Sequence, residues 1–133
     1  MSKLLYPAIF HPEREEGSYS VTVPDLEGCF SEGDTLEEAY DMTKDAIGLC
    51  LEELASHGAS APVPTEPVKI QGLQAGDFVA LVEFDSVAYS RIHHAQSVKK
   101  TLTIPEWLND LAVSQNVNFS KVLQDALMEQ LRI

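Results

Sequence analysis

Residues 25–39, Asp25-Leu26-Glu27-Gly28-Cys29-Phe30-Ser31-Glu32-Gly33-Asp34-Thr35-Leu36-Glu37-Glu38-Ala39, carry the chain from strands into a helix. Pro24 through Gly28 is a turn, Cys29–Glu32 a short extended piece, and Gly33-Asp34 a second turn. Thr35-Leu36-Glu37-Glu38 then has the form of a capping box. The Thr35 hydroxyl can accept from the Glu38 amide while the Glu38 carboxylate reaches back to the Thr35 amide. The helix that follows runs to about Ser56. Leu36, Ala39, Tyr40, Thr43, Ala46, Ile47, Cys50 and Leu54 form its apolar stripe, and Glu37, Asp41, Lys44, Asp45 and Glu52 face outward. His57-Gly58 ends it, with glycine supplying the left-handed cap.

Upstream, Leu4–Phe10 suits a strand that is apolar on both faces, with Pro7 favouring an edge position or a bulge. Residues 13–17 are a polar turn, and Ser18–Val23 alternates Tyr19, Val21 and Val23 against Ser18, Ser20 and Thr22. That pair reads as a hairpin. Downstream, Pro62–Pro67 is an extended loop and Phe78–Phe84 one more strand. The order β-β-β-α-β predicts a small α+β sandwich over residues 1–88. Residues 89–97, with His93-His94, read as a linker without a pattern of its own.

A second module occupies 98–133. Val98–Ile104 alternates, with Leu102 and Ile104 beside Lys100 on one face and Lys99, Thr101 and Thr103 on the other. Pro105 opens a helix through Gln115, and Ser120 is placed to N-cap another through Leu131. A strand and two helices of about 36 residues cannot bury enough surface alone, since folds below about 40 residues need metal, disulfides or a partner chain. Cys29 and Cys50 make no disulfide framework, and no His/Cys set has zinc spacing. An obligate homodimer, or a higher homo-oligomer, follows. Two strands pair across a twofold axis and leave Lys99, Thr101 and Thr103 exposed, a ribbon that fits the DNA major groove.

The charge supports this division. The chain has 133 residues and a net charge of −12, which argues against nucleic acid as a partner for the whole molecule. Residues 1–88 hold 17 acids and 4 bases, a balance of −13, whereas 89–133 hold 4 acids and 5 bases, a balance of +1. Different partners are therefore expected for the two modules. No apolar run approaches the roughly 18 residues of a membrane span. The N-terminal segment does not read as a signal peptide, so a cytoplasmic, membrane-free protein is expected.

The second module resembles the ribbon-helix-helix family of bacterial repressors, through Lys-x-Thr-x-Thr-Ile-Pro at 99–105 and Asn-Phe-Ser-Lys-Val-Leu at 118–123. The resemblance implies that Lys99, Thr101 and Thr103 contact bases. It also implies that the start of the second helix, at Ser120 with help from Lys121, holds a phosphate. Residues 4–54 resemble the HicB antitoxin family, through the run Asp25–Ala39 quoted above. Together these imply an antitoxin that blocks a small, basic, mRNA-cleaving toxin of the HicA family and represses its own operon on double-stranded operator DNA. Asp25, Glu27, Glu32 and Asp34, in one acidic patch with Glu37 and Glu38, would meet the basic toxin. The same acids also suit a solvated face and a helix N-terminus. No cofactor, metal site or catalytic residue is expected. The alternatives are a ligand-sensing ribbon-helix-helix repressor and, third, a ribonuclease.

Overall fold

The computed structural model describes residues 3–14 and 16–133, so Glu15 of the expected 13–17 turn lies outside the described residues. The chain divides into two compact units, Met1–Gln96 and Ser97–Ile133.

In the first unit, β1 (Lys3–Pro12), β2 (Tyr19–Thr22), β3 (Phe30–Gly33) and β4 (Phe78–Asp85) form an antiparallel sheet of order β3-β2-β1-β4. The expected hairpin is β1–β2, with Phe10 opposite Val21. β1 is an inner strand, which corrects the edge position expected from Pro7. The correction is partial in physical terms: β2 pairs only with Ile9–Pro12, so at Pro7 the chain has β4 on one side alone. A missing N–H is tolerated there.

Helix α1 (Leu36–Ser56) covers one face of the sheet. Its Ala39, Thr43 and Ile47 and the strand residues Tyr6, Ala8, Phe10, Val21 and Val82 are all within 1% of full burial. The Thr43 hydroxyl donates to the Ala39 carbonyl at 2.7 Å. Leu36, expected on the buried stripe, is 47% exposed, because the first turn overhangs the sheet edge at β3. The Thr35 hydroxyl accepts from the Glu38 amide at 3.0 Å, while the Glu38 carboxylate bonds the Asp34 amide rather than that of Thr35. Thr35→Ala should therefore cost about 1 kcal/mol. That appears as a fall in Tm of about 5 °C in a circular-dichroism melt. At the far end Gly58 has φ +74°, and the Ala59 amide donates to the Leu54 carbonyl, a Schellman closure.

Residues 86–93 form helix α2 (Ser86–His93), where the sequence reading begins its linker at 89. The Asp85 carboxylate caps it by accepting from the Val87 and Ala88 amides. Tyr89 seats its ring on α1 at Gly48, where an added Cβ would lie 2.2 Å from the ring. The Nε2 atoms of His93 and His94 approach the carboxylates of Asp45 and Glu52.

The second unit contains α3 (Glu106–Ser114) and α4 (Phe119–Leu131). Residues 98–104 carry no strand in the single chain. A strand is defined by its pairing, and the single chain supplies this segment with no partner. The N-cap of α4 is Asn118, whose side chain accepts from the Lys121 amide at 3.1 Å, so Ser120 sits in the first turn rather than at the cap.

Candidate interaction surfaces

The acids expected to act together are distributed over three places. Asp25 is half-buried and points inward. Its carboxylate accepts from the Thr65 amide at 2.9 Å and from the Thr65 hydroxyl, across 40 positions of sequence. Nearby, the Tyr6 hydroxyl donates to the Pro62 carbonyl at 2.7 Å. Burial, and then the charge of Asp25, push the Tyr6 phenol above its ordinary range. Asp25 and Tyr6 thus hold the Pro-rich loop against the sheet. Asp25 has a structural occupation that its place in the acidic run did not reveal.

Glu27 stands on the turn after β2 and is exposed. With Leu26, Cys50, Glu53, Leu54 and His57 it lines a cleft of about 270 Å³. Glu32 and Asp34 are also exposed, and line a separate cleft of about 610 Å³ with Glu13, Tyr19, Glu38 and Met42. Arg14 is the basic residue of its wall. Glu13 was not among the expected residues. The β2–β3 register, which sets Tyr19 opposite Gly33, draws the hairpin turn and the start of α1 to the same end of the sheet. β3 is an edge strand, and Phe30 at its start is 68% exposed. The Gly33 end of the sheet therefore combines four carboxylates with the half-exposed Met42 beside an edge strand, and Phe30 lies at the other end of that strand. Such a surface suits a basic polypeptide.

In the second unit Lys99, Thr101 and Thr103 are all exposed. The Lys121 ammonium lies 3.2 Å from Asp125, one helical turn on. Its amide is taken by Asn118, which leaves the Phe119 and Ser120 amides as the outward donors of α4. No residue of 97–133 is buried. Leu102, Ile104, Leu108, Leu111, Val122 and Leu127 are between 40% and 57% exposed.

His11 reaches Asp77 at 3.0 Å and Thr22 at 3.1 Å. The Gln74 amide, followed by His11, holds the Asp77 carboxyl below its ordinary range. Among the described residues no group of three or more His, Cys, Asp or Glu side chains is arranged to hold a metal ion. No helix among them is long and apolar enough to cross a membrane.

Comparison with known proteins adds four findings. The model of the HicB-like antitoxin family of bacterial toxin–antitoxin systems matches residues 6–126. An uncharacterized 14.9 kDa protein of Haemophilus phage HP1 is 36% identical over 81 residues, spanning 59% of each chain. Antitoxin HicB 1 of Photorhabdus laumondii is 34% identical over 64 residues, 48% of this chain and 41% of that one. This chain therefore spans about half the length of those relatives. A chain of a toxin–antitoxin complex from Streptococcus pneumoniae superposes with a TM-score of 0.58 at 25% identity, covering 97% of this chain and 99% of that one.

Proposed function

The chain belongs to the HicB-like antitoxin family, and from that premise we propose that it neutralises a HicA-type mRNA-cleaving toxin and represses its own operon. The observation that carries the reading is that one family match runs through both units. The first unit would act by occlusion, laying the Glu13, Glu32, Asp34 and Glu38 end of its sheet over the basic, RNA-binding face of the toxin. Glu27, on the turn at the other end of β2 and β3, would make a separate acidic contact, and opposite charge speeds and orients the encounter. Asp25 has a structural part instead, fixing the loop that carries Thr65.

The second unit would pair with a second copy. Two 98–104 segments form an antiparallel ribbon, Leu102 and Ile104 turn towards the helices, and Lys99, Thr101 and Thr103 face the major groove. Lysine favours guanine O6 and N7 there, and threonine donates to a base or touches a thymine methyl. The Phe119 and Ser120 amides, with Lys121, take a backbone phosphate. The role is regulatory and non-catalytic, exerted in the cytoplasm where mRNA and operator are found.

The test separates the two units. Co-expression with the toxin encoded beside it should restore growth. Glu32→Lys with Asp34→Lys should weaken toxin binding at least about tenfold, from the modest worth of each exposed ion pair, and leave operator affinity unchanged. Lys99→Ala with Thr101→Ala should do the reverse. Operator affinity should fall roughly a hundredfold, at 1–3 kcal/mol per lost base contact. Equal loss of both activities in either variant would sink the two-surface assignment.

A further inference from the structure

Cys29 and Cys50 take no part in either proposed surface. Cys29 is 1% exposed and belongs to the core. Its turn is closed on both sides: the Val23 amide donates to the Cys29 carbonyl, and the Cys29 amide to the Leu26 carbonyl, each at 3.1 Å. Cys50, on α1, packs against that core from outside and is only half-buried. It reaches solvent through the 270 Å³ cleft that it lines with Leu26 and His57. Leu26, whose carbonyl takes the Cys29 amide, lines that cleft beside Cys50, and Cys50 packs on the core cluster that holds Cys29, near enough to perturb the Cys29 thiol. In the same cleft the His57 Nδ1 is 2.9 Å from the Glu53 carbonyl. A carbonyl only accepts, so in the neutral ring Nδ1 carries the proton and Nε2 keeps its lone pair.

We propose that this pair is an oxidation site, at which hydroperoxides are reduced and an intrachain Cys29–Cys50 disulfide is formed. Accessibility fixes the order of events. Cys50 gives up its proton to water or to the His57 imidazole, and its sulfur attacks the outer peroxide oxygen. An S–O bond forms, the O–O bond breaks, and the departing oxygen takes up the proton that Cys50 released and leaves as water or an alcohol. Cys50 is then a sulfenic acid. The Cys29 sulfur attacks the Cys50 sulfur, the S–S bond forms and the S–O bond breaks. The leaving hydroxide takes the Cys29 proton and departs as water. Two thiols and one peroxide become one disulfide, one water and one water or alcohol. Burial, followed by the neighbouring Cys50, pushes the Cys29 thiol up to about 12, which keeps it protonated and leaves the first step to Cys50. The bridge would tie the turn that bears Glu27 to the middle of α1.

The test uses the full chain treated with a few equivalents of hydrogen peroxide and mapped by mass spectrometry without reductant. Loss of two hydrogens and a cross-linked peptide joining residues 29 and 50 of one chain are expected. Cys50→Ser should block the reaction. Cys29→Ser should halt it at a Cys50 sulfenic acid that dimedone captures. If the Cys29 variant does not fold, the wild-type map and the Cys50 variant decide the matter. Cys50 oxidised beside a free Cys29, a disulfide between two chains, or no oxidation in the wild type would each overturn the proposal.

Discussion

Replacing Leu123 and Leu127 with aspartate is expected to abolish operator binding while leaving the first unit folded. Residues 97–133 form a separate compact unit in which no residue is buried. Leu123 is 37% and Leu127 49% exposed, and Leu102, Leu108, Leu111 and Phe119 are similar. A stretch this short with its apolar residues this open has no core of its own. An apolar surface of that extent marks an interface. Closing the interface on a second copy would place four new carboxylates inside the dimer, two per chain. An ionised group buried without a partner costs several kcal/mol, and four exceed what a pair of 37-residue units gains by association. The loss in operator affinity should therefore surpass a thousandfold, more than the Lys99/Thr101 pair produces, because the ribbon itself no longer assembles. Light scattering would report the oligomeric state and fluorescence anisotropy the DNA affinity. The melt of the first unit should be unchanged, since Leu123 and Leu127 lie outside it. Undiminished operator binding in the double variant would show that the dimer does not form through this face.

What the sequence disclosed follows the range of the interactions involved. Helix α1 and both of its ends were legible because the Thr35–Glu38 bond and the Gly58 turn lie within a few positions of the residues that signal them. The β1–β2 hairpin was legible from alternation across one turn. The inner place of β1 was not, because it depends on β4 arriving from about 70 positions away. Helix α2 was missed although Asp85-Ser86 is a fair cap, since its packing rests mainly on Tyr89 against Gly48 and eight residues give little periodicity. The strand expected over 98–104 is absent from the single chain, which offers that segment no partner strand. The site shows the same division. The individual acids were evident, but their grouping was not. The β2–β3 register gathers Glu13 and Glu38 with Glu32 and Asp34, while Asp25 is engaged by a threonine 40 residues on. Ser120 lost its capping role to Asn118, a residue equally suited to it two positions earlier.

The second large effect is expected at Gly33, and it turns on why that residue is glycine. In the sequence Gly33 reads as a turn residue like Gly28. The structure separates the two. Gly28 has φ +74° and open space where a side chain would go. Gly33 ends β3 without a left-handed backbone, and a Cβ built on it would lie 2.3 Å from the Ala39 nitrogen and 2.8 Å from the Glu38 carbonyl carbon. These are backbone atoms of the first turn of α1, not the tip of a side chain that can swing away. That turn is fastened by the Ala39 amide donating to the Thr35 carbonyl at 2.9 Å and by the Thr35 cap. It can retreat only by giving up those bonds or by lifting Ala39 out of the core. Gly33→Ala should therefore destabilise the first unit by about 3 kcal/mol, the upper part of the range for overpacked sites. Gly33→Val should prevent it from folding. Gly28→Ala should cost only about 1 kcal/mol, the strain of a left-handed alanine. Urea midpoints followed by circular dichroism would rank the three variants. Toxin binding should fall with Gly33→Ala even where the protein remains folded, because Glu32, Asp34 and Glu38 flank the contact that is forced apart. A Gly33→Ala midpoint equal to that of Gly28→Ala would mean that the helix does not approach β3 this closely. The four-carboxylate end of the sheet would then lose its geometric basis.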